Sequence, residues 1–449
     1  MARKNINTLF IANRGEIALR IIRTARRLGL KTVLGVSDAD ANSRGASEAD
    51  VVVRLGPAPS AQSYLNIAKV VAAAKESGAD AVHPGYGFLS ENINFARAVA
   101  EAGMIFVGPD PRALDAMGDK LKARAVAIEA GLPVVPGGEA ETAEDAAKIA
   151  EKTGYPLLIK AVSGGGGRGM KRVDKPQELR SQIGFAMSEA EAAFGDPRIY
   201  VERFIASGRH VEVQVIGDGK RAIHLGTRDC SIQRRFQKLV EEAPAPNIPD
   251  DKHRAIENAA VKIAEHLNYK GAGTVEFLVD ADNFDFFFLE MNARIQVEHP
   301  VTEEITGVDI VEQQLLIASG APLGYEQRDI EFQGAAIEVR INAEDPDADF
   351  RPSPGMVTKA EWPAGAGVRV DTHIRSGDSI SPNYDSLMGK LIVHGATRGE
   401  AVKRIAAALK TLHVEGVKTT APLHVRIMDD ARFQKGGVDT RFFEGLKNG

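Results

Sequence analysis

The chain has 449 residues, 44% hydrophobic and 26% charged, with a formal net charge of −5 and a single cysteine. This length holds two or three domains; the mildly acidic balance excludes the basic footprint of a nucleic-acid binder, and one cysteine excludes a disulfide framework. Cys230 reads as a small packing residue, and a reducing cytoplasm is the expected location. Met1-Ala2-Arg3-Lys4 is followed by no apolar stretch of signal-peptide kind, and no apolar run approaches membrane-spanning length, so no membrane partner is expected.

In chain order, Thr8 to Ala12 reads as a buried strand, Glu16 to Leu28 as an amphipathic helix ended by Gly29, and Lys31 to Val36 as a second strand. Short strands follow at Ala79 to Val82 and Ile105 to Val107. Such alternation predicts a doubly wound parallel-sheet domain over 1–115. A helical connector is expected over 116–134. A small α+β unit follows over 135–206, with helix Ala143 to Thr153, strand Pro156 to Ala161, a glycine loop, helix Pro176 to Ala193 and strand Arg198 to Arg203. From His210 the chain is strand-rich, with strands at His210 to Ile216, Ala222 to Leu225, Gly273 to Val279 and Phe284 to Met291. Helices at Asp251 to Leu267 and Val308 to Ser319 interrupt this core, assigned to 207–333; strands and turns resume over 334–449 before a helix at Gly399 to Leu412.

Residues 286–298 read Phe-Phe-Phe-Leu-Glu-Met-Asn-Ala-Arg-Ile-Gln-Val-Glu. An extended conformation puts Glu290, Asn292, Arg294, Gln296 and Glu298 on one face, with Met291, Ala293, Ile295 and Val297 on the other. Solvated strands alternate too, but are usually filled with Lys, Thr, Ser and Glu. Two carboxylates, a guanidinium and two amides beside an apolar run point to a catalytic edge. Glu276 lies in the preceding strand, across a turn containing Asp282 and Asn283. In a hairpin it can face Glu290 and Asn292, and oxygen ligands without His or Cys suit Mg²⁺ or Mn²⁺ bridging nucleotide phosphates. Cross-strand charge on a wet face is the alternative.

Ser163-Gly164-Gly165-Gly166-Gly167-Arg168-Gly169 follows a strand ending near Lys160. Four consecutive glycines carry a large ordering cost, and what they offer is backbone N–H groups that approach phosphates closely. Lys160 adds a point charge. Neither a Walker A loop nor a Rossmann fingerprint is present. His83 to Asn92 follows a parallel strand, at the end where open α/β sheets bind ligands.

Together these residues resemble the biotin carboxylases of the ATP-grasp superfamily. The matching words are Ile11 to Ala18, His83 to Asn92, Gly118-Asp119-Lys120, the glycine loop, Glu241 to Pro246 and Glu290 to Pro300. The resemblance implies ATP held by Lys120 and Lys160, with Gly165, Gly166 and Gly167 folding over the phosphates as a lid. It implies an adenine pocket at Glu202, Arg203, Phe204 and Ile205, with His210 and Leu278 near the nucleotide. Glu276, Glu290 and Asn292 would hold Mg²⁺ or Mn²⁺. Lys238, Arg294, Gln296 and Val297 would bind bicarbonate, Glu298 would act as base, Arg340 would stabilise the biotin enolate, and Tyr86 would lie near the biotin pocket.

The implied activity is ATP-dependent carboxylation of biotin through carboxyphosphate, the first half-reaction of a biotin-dependent carboxylase. Acetyl-CoA carboxylase is the first expectation for the parent enzyme; propionyl-CoA, other acyl-CoA, pyruvate and 2-oxoglutarate carboxylases are alternatives. Another ATP-grasp ligase would share Lys160, Glu276, Glu290 and Asn292 but not the string Arg294 to Glu298, and a non-catalytic relative would have lost metal or base residues. Two positions depart from the family pattern. Phe236 stands where His is frequent, losing a polar contact to the nucleotide, and the glycine run follows Val162 with four glycines rather than five. The only Met-Lys pair is Met170-Lys171, so biotin is expected on another polypeptide, a biotin carboxyl carrier protein working with carboxyltransferase subunits. The family resemblance also implies a homodimer, against which Arg23, Arg26 and Arg27 on the first helix would set like charges.

Overall fold

The computed structural model describes residues 5–162 and 170–446. Its first layer is a five-stranded parallel sheet in the order Val51–Gly56, Lys31–Ser37, Thr8–Ile11, Ala81–His83, Ile105–Phe106. The expected strands are there, and Val51–Gly56 is added at the edge. Thr8–Ile11 pairs with strands on either side, so the loops after Ile11 and His83 open next to each other at the carboxyl ends. The Asn13 side chain ties them, its Nδ2 donating to the carbonyls of Pro84 at 2.6 Å and Tyr86 at 2.7 Å. Gly85 has φ +62°, and a Cβ there would lie 2.8 Å from Asn13 Nδ2, so the turn demands glycine.

Helix Gly15–Arg27 buries Ile17, Ile21, Ile22 and Ala25 against this sheet. Within the chain, Arg23 pairs with Asp371 at 3.2 Å, Arg27 with Asp309 and Glu312 at 2.6 Å, and Arg26 donates to the Glu48 carbonyl. The acids come from distant elements, which a reading of one helix cannot see. The connector is two helices, Pro111–Gly118 and Lys120–Glu129, divided at Asp119, whose carboxylate accepts from the N–H groups of Leu121 and Lys122 and starts the second.

A four-stranded antiparallel sheet follows, in the order Gly137–Ala140, Ile199–Arg203, Leu157–Ala161, Lys171–Val173, with helices Ala143–Thr153 and Pro176–Phe194. Ala140, Leu157, Ile159, Ile183, Ile199 and Val201 give it a core of its own. The largest element is an eight-stranded antiparallel sheet: Phe286–Asn292, Lys270–Asp280, Gly208–Asp218, Ala222–Arg234, Gln237–Ala243, Ala335–Asn342, Leu387–Gly395, Val368–Thr372. It runs unbroken across Gly334, because Gln237–Ala243 pairs directly with Ala335–Asn342.

In this sheet Val211, Val213 and Val215 face helix Asp250–His266 and pack with Ile256, Ala260 and Ile263. Each buried Val or Ile side chain here contributes about 1.5–3 kcal/mol. Period-2 geometry sends His210, Glu212 and Gln214 to the other face. Among the described residues, no helix is long and apolar enough to cross a membrane.

The extended reading of 286–298 holds only to Asn292, which pairs with Thr274. There the ladder ends. The Glu91 carboxylate accepts from the Ala293 N–H at 3.0 Å and from Arg294 Nε at 2.9 Å, peeling the chain off the sheet. Residues 293–298 turn across the polar face, and helix His299–Thr306 begins.

Candidate active site

Glu276 and Glu290 stand directly opposite each other in register, as the hairpin reading requires. Glu276 Oε1 accepts from Asn292 Nδ2 at 2.8 Å, Gln296 Nε2 at 2.8 Å and Lys238 Nζ at 3.1 Å, and Oε2 lies 2.8 Å from His210 Nε2. Burial alone would raise the Glu276 carboxyl, but Lys238 and His210 outweigh it and hold it well below the usual range. Glu290 shifts the other way, pushed up by burial and by Glu276, with Lys120 near enough to pull it back. Two carboxylates and the Asn292 amide, with repulsion between the carboxylates still unrelieved at Glu290, are a donor set that fits a hard divalent cation.

Lys238 is the hub. Its ammonium reaches Glu212 Oε2 at 2.5 Å, Glu298 Oε1 at 2.6 Å and Glu276 Oε1 at 3.1 Å, engaging all of its donor hydrogens. Burial works against its charge, and the three carboxylates carry its pKa well above the ordinary lysine value. His210, Glu212 and Glu276 come together here, and the same ammonium engages both of those carboxylates.

Arg340 closes the other side, Nε donating to Glu241 Oε1 at 2.6 Å and Nη2 to Glu298 Oε2 at 3.0 Å. Each Glu298 oxygen is thus held by a cation. Burial would raise this carboxyl; Lys238, Arg340 and Arg228 together hold it below the carboxylate range. Glu241, its neighbour across Arg340, is pushed up to about 7 by burial, with the charge of Glu298 adding to the effect. Cys230 is buried, and burial pushes its thiol up.

Sequence reasoning missed the residue that aims the loop. Arg228 is fully buried and uses its whole fork: Nε to Glu212 at 2.6 Å, Nη1 to Gln214 at 2.8 Å and Thr302 at 3.0 Å, Nη2 to Gln296 at 2.8 Å and Thr274 at 3.1 Å. It fixes Gln296 once the strand has ended. Glu212 and Gln214 were also missed, although His210-Val211-Glu212-Val213-Gln214 alternates as 290–298 does.

Arg294 turns to Glu91 and to Asn292 Oδ1 at 2.9 Å, not to Lys238. The Tyr86 hydroxyl donates to Glu16, and the Val297 carbonyl accepts from Lys390. Lys160 pairs with Glu202 across the small sheet, and Lys120 is exposed at the start of its helix. Glu202 and Arg203 end the last strand of that sheet, and Phe204 and Ile205 link it to Gly208. Leu278 stands opposite His210. Phe236 is 68% exposed at a hairpin tip. Gly165, Gly166 and Gly167 lie outside the described residues.

Residues 5–114 match the family Biotin carboxylase, N-terminal domain; 119–326 match Carbamoyl-phosphate synthase L chain, ATP binding domain; and 338–445 match Biotin carboxylase C-terminal domain. The chain is 50% identical to a biotin carboxylase of Pseudomonas aeruginosa over 443 residues, 98% of each chain. It is 47% identical to a pyruvate carboxylase subunit of Methanothermobacter thermautotrophicus, over 98% of this chain and 90% of that one. Among solved structures, the biotin carboxylase domain dimer of Hydrogenobacter thermophilus 2-oxoglutarate carboxylase, in complex with MgADP, ADP and bicarbonate, has a TM-score of 0.89 at 44% identity, over 99% of this chain and 98% of that one. With likeness of this extent over a polar sheet face of this construction, the chain belongs to the biotin carboxylase family, ATP-dependent ligases that serve as the biotin carboxylase subunit of biotin-dependent carboxylases.

Proposed function

We propose that this chain activates bicarbonate with ATP at the Lys238–Glu298–Arg340 cluster and passes the carboxyl group to biotin borne on a carrier. The observation that carries the proposal is Glu298, a carboxylate with one oxygen on an ammonium and the other on a guanidinium. Bicarbonate binds beside Lys238, Arg294, Gln296 and the backbone at Val297. So tightly paired, Glu298 is ionised but weakly basic. A bicarbonate anion beside it competes for Lys238, which raises the basicity of Glu298 when a proton must be taken. The proton moves from bicarbonate to Glu298, a bicarbonate oxygen attacks the γ-phosphorus, and the bond to ADP breaks, giving carboxyphosphate. The C–O bond of carboxyphosphate then breaks, the released phosphate takes the N–H proton of the biotin ureido group while Arg340 stabilises negative charge on the ureido oxygen, and the deprotonated nitrogen bonds to the carboxyl carbon.

Mg²⁺ or Mn²⁺ held by Glu276, Glu290 and Asn292 supplies charge neutralisation for the nucleotide phosphates. Lys120, Lys160 and the glycine loop hold those phosphates. Glu202, Arg203, Phe204 and Ile205 line the base with Leu278, His210 lies near the nucleotide, and Tyr86 borders the biotin. The unit at 135–206 acts as a lid that keeps water from carboxyphosphate. Its separate core and its link through Phe204 and Ile205 support this. Amide exchange in Leu157–Ala161 and Ile199–Arg203 should slow when nucleotide is added; unchanged exchange sinks the lid.

Biotin arrives on a carrier segment outside these 449 residues, which contain no Ala-Met-Lys-Met. The carrier and a carboxyltransferase are the working partners, and the dimer of the Hydrogenobacter relative supports a homodimer. Acetyl-CoA is the first acceptor to test, with pyruvate and 2-oxoglutarate beside it, since relatives of near-equal identity carry different parent names. The decisive assay supplies labelled bicarbonate, ATP and a biotinylated carrier. Label should appear on the carrier with one ATP cleaved per carboxyl group, and ATP cleavage indifferent to bicarbonate would reject the proposal.

A further inference from the structure

Lys390 is fully buried, on strand Leu387–Gly395, directly opposite Arg340 in register. Opposed residues of an antiparallel pair project to the same face, so Lys390 points toward the loop that carries Glu298. Its Nζ donates to the Val297 carbonyl at 2.6 Å and lies 3.1 Å from Glu16 Oε1. Glu16, on the first helix of the parallel-sheet layer, in turn accepts from the Tyr86 hydroxyl. One ammonium therefore joins the parallel-sheet layer, the bicarbonate loop and the strand beside Arg340.

A buried lysine is an unfavourable way to hold a structure together, because desolvation can exceed the Coulombic gain. This one stays charged because acids surround it. Burial pulls its pKa down, and Glu16, Glu338 and Asp371, the last directly opposite it on the other neighbouring strand, carry it above the ordinary value. Neither oxygen of Glu338 has a hydrogen-bond partner, nor has Glu16 Oε2, so the acids are not saturated by one another. An apolar residue would fill the volume without these costs. What the ammonium adds is direction: it fixes the plane of the peptide joining Val297 to Glu298, and with it the backbone on either side of the base.

We propose that Lys390 is a positioning residue for bicarbonate, holding the Val297–Glu298 peptide in the orientation the anion requires and coupling it to the Glu16–Tyr86 pair. The proposal rests on the reading of the Glu298 cluster as the bicarbonate site.

The test uses Lys390→Met, the double variant Glu16→Gln with Lys390→Met, and Glu298→Gln as a separate control. Each is assayed in the full chain for Tm and for KM of bicarbonate and of Mg·ATP in ATP cleavage with free biotin. Lys390→Met strands the Glu16 charge and lowers Tm. The double variant removes that charge while leaving Tyr86 an acceptor, so Tm recovers in part: Asp371 keeps Arg369, and Glu338 still lacks the ammonium. If Lys390 positions the loop, KM for bicarbonate stays raised about tenfold or more in the double variant, the scale of a lost charge-assisted hydrogen bond. KM for Mg·ATP stays within about twofold, well under the ~1.4 kcal/mol of a tenfold change. A double variant that recovers bicarbonate KM together with Tm, raises both KM values alike, or does not fold overturns the proposal, because each outcome describes a merely structural lysine. Near-normal turnover in Glu298→Gln rejects the site reading itself, which separates the two failures.

Discussion

Strand Lys171–Val173 of the four-stranded sheet carries its ion pairs at the surface, and the polar face of the eight-stranded sheet buries them. In the first, Lys171 and Glu189 are 34% and 50% exposed, and Arg172 and Asp174 are 50% and 51% exposed. In the second, Arg228 and Glu212 are both 0% exposed, and Lys238 and Glu298 are 11% and 2% exposed. Exposed pairs each contribute about 0–1 kcal/mol. Buried pairs lose much of their attraction to desolvation, and apolar side chains of equal volume often stabilise a fold more. The small sheet coheres through its apolar core. The large sheet accepts charges that a stability argument would remove, and what it gains is a carboxylate, an ammonium and a guanidinium held in fixed geometry.

The sharpest attempt to break this contrast is Glu298→Gln. The change is nearly isosteric and keeps an acceptor for only one of Lys238 and Arg340, but Lys238 retains Glu212 and Glu276 and Arg340 retains Glu241, so the fold and nucleotide binding should survive. Bicarbonate-dependent ATP cleavage should fall by about 10² to 10⁴. Turnover close to that of the parent chain would mean the buried charges are not there for chemistry.

Arg228→Met comes next. It takes one of two cations from Glu212, which keeps Lys238, and leaves Gln214, Gln296 and Thr274 without this buried donor. Removing one partner of a buried pair costs about 3–5 kcal/mol, which denaturant titration measures. A loss below about 1 kcal/mol, the surface-pair range, would place Arg228 with the charges of the small sheet.

How much of this was legible follows the same division. Adjacent residues spoke clearly: strand and helix alternation, Glu276 facing Glu290, and helix Ala143–Thr153 follow from period and spacing. The site was legible where one segment carried it, and the resemblance added Lys238 and Arg340. What stayed hidden depends on contacts between distant segments. The strand stops at Asn292 because Glu91 takes its next N–H, and no local pattern announces that. Arg228 and Lys390 matter through carboxylates and a carbonyl far away in sequence. The acids that meet Arg23 and Arg27, which are Asp371, Asp309 and Glu312, likewise arrive from elsewhere.

Glu290→Gln probes the metal face with a smaller effect. One carboxylate is lost beside Glu276 while Lys238, Arg340 and Glu298 keep their contacts, so the Mg²⁺ concentration for half-maximal activity should rise about tenfold and KM for biotin should hold. Unchanged metal titration curves would remove Glu290 from the cation site.

A pH experiment tests whether burial of charge outside the site behaves differently. Glu257, on helix Asp250–His266 behind the large sheet, is raised from 4.5 to about 7 by burial, with only Arg254 opposing. Between those values the folded chain keeps a proton that the unfolded chain has lost, so this group makes stability fall as pH rises from about 4.5 to 7. Glu298 has the opposite sign: its depressed carboxyl stabilises above the unfolded value of about 4.3, and that contribution is lost as pH falls. Glu257→Gln should raise Tm at pH 8, leave it unchanged near pH 4 and leave kcat unchanged throughout. Equal Tm shifts at both ends of the range would show that the charge is not the cause.

The smallest effect is expected where the contrast is most literal. Lys171 and Glu189 meet at 2.8 Å, a distance like those around Lys238, yet both are partly exposed. Water at a distance of contact screens most of the Coulomb energy, and ordering two long side chains offsets much of the remainder. Lys171→Met and Glu189→Gln, alone and together, should show a coupling below about 1 kcal/mol in a double-mutant cycle. The coupling should shrink further with added salt. The Lys238–Glu298 pair, with a 2.6 Å separation, should instead show a large coupling that salt barely changes. If the two cycles gave similar energies and similar salt dependence, separation alone would govern these pairs, and the contrast between the two sheets would reduce to where charges happen to fall.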